Sequence, residues 1–254
     1  MDQFTERLLR MDSCAVSDAV DKLGLPPSVT GIPRMSTDRR IAGRVLTVKL
    51  DRAEGRSNTR HLCTAAIEAA SPGDIIVCEQ RTGLDAACWG GNLTIAAKAR
   101  GVAGAIIEGP ARDIDESRQL DFPVFARSLT GRTARGRIVE VSTGEAVRVG
   151  DVTVNHGDYV IADASSVVFI PQADVARVVE AAELIVQRES LMAQALRGGR
   201  RASEVMGANY EHMLNTASAK ATAGPPARVP RAAAAPGTPG RARRVRRRSK
   251  RRRK

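Results

Sequence analysis

Apolar positions along this chain recur at two spacings, and their order predicts helices and strands in alternation. Residues 1–12 read as a short leading helix. Asp12 or Ser13 can cap a second helix, which Gly24 closes and Pro26-Pro27 stops. Residues 41–50 alternate apolar and polar and predict a strand. Residues 58–70 suit a helix ending at Ser71-Pro72-Gly73, and 74–78 a short buried strand. A further helix is expected over 90–100, a strand over 104–107, a short helix over 113–120 and a strand over 123–128. From 137 to 170 the pattern is mostly β, with Gly144, Gly150 and Gly157 at turns. A long amphipathic helix follows from 172 to about 197, with Val175, Val178, Val179, Ala182 and Ile185 on its apolar face. A weak helical stretch is read over 206–215. The pattern is that of an α/β body, with no repeat of solenoid length.

The densest stretch is 91–113. Gly90-Gly91-Asn92-Leu93 opens a helix with bare backbone N–H groups, which suits a carboxylate. Ala105-Ile106-Ile107 reads as a buried strand ending at Gly109 and Pro110. Arg112 and Asp113 then stand at its carboxyl end, where α/β proteins usually place their chemistry. Arg112 offers a planar fork of donors for a carboxylate or 2-oxo acid. Asp113 is a hard oxygen ligand suited to Mg2+ or Mn2+.

Composition changes this picture in two places. Aromatics are 3% of the 254 residues, so Ala, Val, Ile and Leu must build the core. The net charge of +12 belongs to the end of the chain. Fourteen of the 40 Lys and Arg lie from Ser218 onward, with no Asp or Glu among them. The remainder carries 26 basic and 28 acidic residues, a net of −2. We therefore expect a domain over 1–198, a weakly helical linker over 199–217 and a disordered Ala/Pro/Arg-rich basic tail over 218–254. Such a tail can bind nucleic acid without sequence preference, although it has no aromatics to stack on bases. No apolar run is long enough for a membrane helix, and the first residues do not form a secretory signal. Cys14, Cys63, Cys78 and Cys88 lack C-x-x-C spacing, which argues against zinc and for reduced thiols in a cytoplasmic protein.

Several segments stand out in order: S-D-A-V-D-K-L-G at 17–24, I-A-G-R-V-L-T-V at 41–48 and S-P-G-D-I-I-V at 71–77. W-G-G-N-L from 89, A-A-K-A-R-G-V-A-G to 104 and G-P-A-R-D-I-D-E at 109–116 follow, then F-P-V-F-A-R at 122–127 and V-T-V-N-H-G-D-Y-V-I-A-D at 152–163. Taken together they resemble the RraA-like family, which includes the 4-hydroxy-4-methyl-2-oxoglutarate aldolases and proteins labelled regulators of ribonuclease activity; the segments at 89–104 and 109–116 carry the strongest likeness. The resemblance implies a swivelling β/β/α domain, an αββα sandwich, assembled as a homotrimer or dimer of trimers. It implies that Gly90, Gly91, Asn92 and Leu93 hold the substrate carboxylate, that Arg112 binds the pyruvyl oxygens and that Asp113 holds a divalent metal, partly through water.

One departure stands out. The best-matched aldolases carry Asp where this chain has Gly91, and the remainder of the pattern is met by Arg112, Asp113 and Glu116. The ribonuclease-regulator branch tends to lack the Arg-Asp pair. The resemblance thus implies a metal-dependent class II lyase that cleaves 2-oxo acids to pyruvate, with oxaloacetate decarboxylation through the same enolate and metal-bound water as a base. The alternative is a non-catalytic regulator of an RNA-processing enzyme or RNA. A methyltransferase label also attached to the family finds no glycine-rich cofactor loop here. Glu180, Glu183 and Glu189 are candidates for an acid lent to a neighbouring subunit. Lys98, His61 and His156 read as surface or structural groups, Trp89 as wall packing, and Cys88 as a buried thiol.

Overall fold

One long strand, β1 (Ile41–Arg52), organises the molecule by serving partners in succession. Its first residues, Ile41 to Arg44, pair antiparallel with β8 (Tyr159–Ala162), and Val45 to Leu50 pair parallel with β2 (Ile75–Gln80). Beyond β2, β3 (Gly104–Ala111) and β4 (Val124–Leu129) continue in parallel. The order is β4-β3-β2-β1-β8-β9, where β9 is Val167–Ile170. β5 (Ile138–Thr143) lies antiparallel to the second half of β1. β6 (Val147–Val149) and β7 (Val152–Val154) form a separate hairpin. This computed structural model describes residues 2–56 and 60–207, within the first of two units, 1–210 and 211–254. The basic tail and most of the helix expected over 206–215 lie outside the described residues.

Successive strand residues point to opposite faces, so each strand feeds two apolar layers. Leu46, Ile76 and Ile107 face α3 (Thr64–Ala69), α4 (Gly91–Ala99) and α5 (Ile114–Gln119). Their neighbours Val45, Ile75 and Ile106 face Val160, Phe169 and the β6–β7 hairpin. Ile161, Val168 and Ile170 in turn carry α1 (Gln3–Leu8), α2 (Ser13–Lys22) and α6 (Val175–Arg197). Three apolar layers therefore alternate with helix, strand, strand and helix, which is the αββα sandwich expected. β2 is buried on both faces, which explains its unbroken apolar run.

Four boundaries differ from the sequence reading. The helix expected from residue 58 begins at Thr64, because Cys63 is left-handed at φ 64° and gives its N–H to Glu140 Oε2 at 2.7 Å. β3 does not stop at Gly109-Pro110. It shifts register between Ile107 and Pro110, absorbing a residue that has no N–H, and runs on to Ala111. The leading helix is only six residues long, since a new cap at Asp12, accepting from the Ala15 N–H, starts α2. Residues Gln172–Asp174 form a 3-10 turn before α6. Beyond α6, α7 (Ala202–Val205) adds one turn and buries Val205. Among the described residues no helix is long and apolar enough to cross a membrane.

Asp163, just past β8, ties the helical layer to the sheet. It accepts from the Ser13 N–H at 2.8 Å, the Ser13 hydroxyl at 2.7 Å and the Ser165 N–H at 2.9 Å. Burial pushes its carboxyl up, but these donors and Arg40 outweigh burial and hold it below the ordinary carboxylate range. A depressed carboxyl contributes stability that is complete above its unfolded pKa, about 3.9, and is lost as pH falls through the lower folded value. Asp163→Asn is expected to cost about 1–2 kcal/mol at neutral pH and to flatten the acid side of the stability curve. Urea midpoints taken from neutral pH into the acid range check both.

Candidate active site

The site lies where the carboxyl end of β3 meets the amino end of α4. Ala111 pairs with Trp89 in a parallel bridge, and the Arg112 N–H donates to Trp89 O at 3.0 Å. These contacts set the Gly90-Gly91 pair against Arg112 and Asp113. Asp113 is left-handed, at φ 56° and ψ 39°, a region that Asp tolerates better than most residues. That conformation turns the chain from β3 into α5. Asp113 Oδ2 accepts the Gly91 N–H at 3.0 Å and lies 3.3 Å from Arg112 Nε.

Both glycines are needed for close approach. A Cβ on residue 90 would stand 2.7 Å from Asp113 Oδ2 and 3.3 Å from Arg112 Nε. A Cβ on residue 91 would overlap Glu116 Oε2 outright and lie 2.5 Å from its Cδ. The Glu116 carboxylate therefore occupies the volume that a side chain at 91 would fill. Two carboxylates, Asp113 and Glu116, converge on one glycine.

A buried polar network fixes this corner from behind. The Trp89 indole N–H donates to Thr94 Oγ1 at 3.0 Å, and Thr94 Oγ1 reaches Gly90 O at 3.2 Å and Ser117 Oγ at 3.1 Å. Ser117 in turn meets Asp113 O through its N–H at 3.2 Å and its hydroxyl at 3.3 Å. The Trp89 ring is buried and stacks on Phe122, with centroids 6.1 Å apart. Thr94→Val keeps the shape but strands the indole N–H. It is expected to cost about 1–3 kcal/mol, read from urea denaturation, with a several-fold fall in any activity of the site.

The cavity in front of this corner measures about 130 Å3. Gly90, Gly91, Asn92, Leu93, Arg112 and Asp113 all line it, so every residue expected at the site is brought together. The Gly91 N–H is already given to Asp113, which leaves those of Asn92 and Leu93 as first-turn donors for an anion. Arg112 and Asp113 are each about 40% exposed, open to a ligand without being loose on the surface.

Four further lining residues, His61, Leu62, Thr133 and Ala134, come from distant segments that no local pattern marks. Glu116 was visible three positions after Asp113, but its place in the volume of residue 91 needed the fold. Cys88 lines the cavity and sets its thiol 3.5 Å from Pro110 O. Lys98 reaches Leu120 O on the far side of α4, and His156 stands in the turn between β7 and β8. Glu183 forms a bidentate pair with Arg7 at 2.7 Å, which holds it below the ordinary range. Burial, with Asp12 and Asp18 nearby, pushes Glu189 up. Neither these two nor Glu180 line the cavity of their own chain.

Among the described residues, no group of three or more His, Cys, Asp and Glu side chains converges to hold a metal. The donor set instead fits a cation that keeps most of its water, as Mg2+ does with one or two carboxylates.

A sequence profile of the RraA-like family, described as Aldolase/RraA, matches residues 13–169. Protein DlpA of Legionella pneumophila subsp. pneumophila is 25% identical over 199 residues, which are 78% of this chain and 32% of DlpA. The chain thus spans about a third of that relative's length. A protein of Halalkalibacterium halodurans named "Putative 4-hydroxy-4-methyl-2-oxoglutarate aldolase" is 28% identical over 184 residues, 71% of this chain and 82% of the other. The crystal structure of an uncharacterized protein from Pseudomonas syringae pv. tomato superposes with a TM-score of 0.72 at 26% identity, covering 80% of this chain and 96% of that one. With the profile running over more than half of its residues and its fold shared along nearly the whole of a solved relative, this chain belongs to the RraA-like family.

Proposed function

We propose that the chain is a divalent-metal-dependent lyase that breaks the carbon–carbon bond between C3 and C4 of a small 2-oxo acid, one carbon removed from the 2-oxo group, and releases pyruvate. The observation that carries this reading is Glu116. Its Oε2 stands where a Cβ on residue 91 would stand, so the cavity presents two carboxylates, those of Asp113 and Glu116, beside Arg112 although residue 91 is glycine. The 4-hydroxy-4-methyl-2-oxoglutarate aldolase name on a relative 28% identical supports it.

The roles divide by chemistry. The first-turn N–H groups of Asn92 and Leu93 receive the substrate carboxylate, favoured by the helix dipole. The Arg112 guanidinium donates to the 2-oxo oxygen, on which charge grows as the bond breaks, and stabilises the enolate that remains. Asp113, with Glu116 beside it, would hold Mg2+ or Mn2+, which supplies Lewis-acid polarisation when bound. Aldol cleavage also requires removal of the substrate hydroxyl proton, and Glu116 is the group of this chain available to take or relay it. Oxaloacetate loses carbon dioxide to the same enolate, which then takes a proton at its methylene carbon. The same reading has the chain act as a homotrimer or dimer of trimers.

The test is pyruvate release from oxaloacetate, followed in a coupled assay with Mg2+ and then with EDTA. Metal-dependent release is the expected result. A folded protein that releases none with Mg2+ or Mn2+ would overturn the reading and favour the regulatory one, in which the site binds and does not turn over.

A further inference from the structure

We propose that Cys88 and Cys78 form an oxidative modification site reached through the cavity: a peroxide converts Cys88 to a sulfenic acid, and Cys78 closes a disulfide on it. The proposal stands on the thiols themselves and does not depend on the lyase reading.

Three thiols that the proposed chemistry leaves unused meet behind the cavity wall. Cys63, Cys78 and Cys88 come from the turn before α3, from β2 and from the stretch leading to Trp89. Cys63 Sγ lies 3.9 Å from Cys78 Sγ and 3.9 Å from Cys88 O. Hydrogen bonding with Cys63 and then with Cys88, together with burial, pushes the Cys78 thiol well above the ordinary thiol range. Cys63 and Cys78 are fully buried, and among the described residues only Cys88 of the three lines the cavity. An oxidant that enters therefore meets Cys88 first, with a protonated thiol in contact behind it. A reacting cysteine with a resolving cysteine beside it is the arrangement that turns a sulfenic acid into a disulfide.

The atoms and electrons balance. The Cys88 sulfur attacks one peroxide oxygen, the O–O bond breaks, and the departing hydroxide leaves with the thiol proton as water. The Cys78 sulfur then attacks the Cys88 sulfur, the S–O bond breaks, and the hydroxyl leaves with the Cys78 proton as a second water. Each thiol gives up one electron, and the peroxide takes both.

A disulfide is about 2 Å long, so thiols in van der Waals contact must close up to form one. β2 cannot supply that movement, because Cys78 is paired with Val48 on one side and Ile107 on the other. Cys88 must move instead. Its thiol leaves Pro110 O, which lies 3.5 Å away, and its backbone carries Trp89, whose carbonyl accepts the Arg112 N–H at 3.0 Å. Closure therefore shifts the corner formed by Trp89 and Arg112.

Hydrogen peroxide applied to the full chain carrying Cys14→Ser, which removes the exposed thiol, tests the proposal. Trypsin cuts after Arg60, Arg81 and Lys98, which places Cys63 and Cys78 on one peptide and Cys88 on the next. Mass spectrometry should find the two peptides joined, two hydrogens lighter than their sum, and separated again by dithiothreitol. In Cys63→Ala the pair should still be joined, and since Cys78 is then the only thiol of its peptide, the bond can only run from Cys78 to Cys88. In Cys78→Ala the joined pair should disappear, leaving Cys88 as a sulfenic acid that dimedone traps. Trp89 is the one tryptophan of the chain, and its emission should change as the bond forms and recover on reduction. Cys88 left as a free thiol, Cys88 oxidised further without a joined peptide, or a joined pair missing from Cys63→Ala would overturn the site. A joined pair with unaltered Trp89 emission would overturn its coupling to the corner.

Discussion

Arg112→Ala and Asp113→Asn are each expected to lower kcat/KM for pyruvate release by about 10^2 to 10^3, the usual cost of deleting one preorganised electrostatic group. Neither should unfold the protein. The Arg112 side chain pairs only with Asp113 among the described residues, and the backbone bond from its N–H to Trp89 O survives the change. Asparagine suits the left-handed backbone at 113 and keeps an oxygen to accept the Gly91 N–H, so it removes the charge and little else. Asp113→Ala would lose that hydrogen bond and a residue type suited to φ 56°, and should lower stability by about 1–2 kcal/mol as well. Parallel rate and urea measurements on the three variants separate the two effects. Full activity in either Arg112→Ala or Asp113→Asn would mean that the chemistry happens elsewhere.

The core of this site was legible because it is nearly contiguous. A glycine-led helix start, a buried run and an Arg-Asp pair follow one another within about one supersecondary unit, and local periodicity reads such units well. The three layers were legible for the same reason, since strand alternation at Val45-Leu46 and at Val160-Ile161 already sorts residues between faces. What failed was set by long-range contact. Nothing near Cys63 says that Glu140, 77 residues away, will take its N–H and hold the helix back to Thr64. Gly109-Pro110 has the local signature of a strand end, but pairing with β4 carries β3 through it. Leu62 and Thr133 reach the cavity from separate parts of the chain, the connection after β1 and the connection after β4.

The sharpest case is the exchange between residues 91 and 116, and Gly91→Asp tests it. The backbone at 91 is not what excludes a side chain: its φ is not positive, and Asp is a favourable first-turn residue of a helix. The nearest atoms in the way are those of the Glu116 carboxylate. Introducing Asp must therefore push Glu116 aside and place a third carboxylate near Arg112, at an overpacking cost of about 1–3 kcal/mol and with repulsion between like charges. The rate of pyruvate release should fall by about 10^2 in Gly91→Asp, and by a similar factor in Glu116→Ala, which leaves a single carboxylate. Gly91→Asp/Glu116→Ala should recover to within about tenfold of the unaltered chain, because one acid again fills the shared volume. Two losses that largely cancel when combined mark direct coupling, whereas independent sites would multiply to about 10^4. A silent Glu116→Ala, or a double variant as poor as the product of the singles, would show that Glu116 merely fills space. The carboxylate pair would then lose its place in the proposed chemistry, and Asp113 would be left as the cation's only protein ligand.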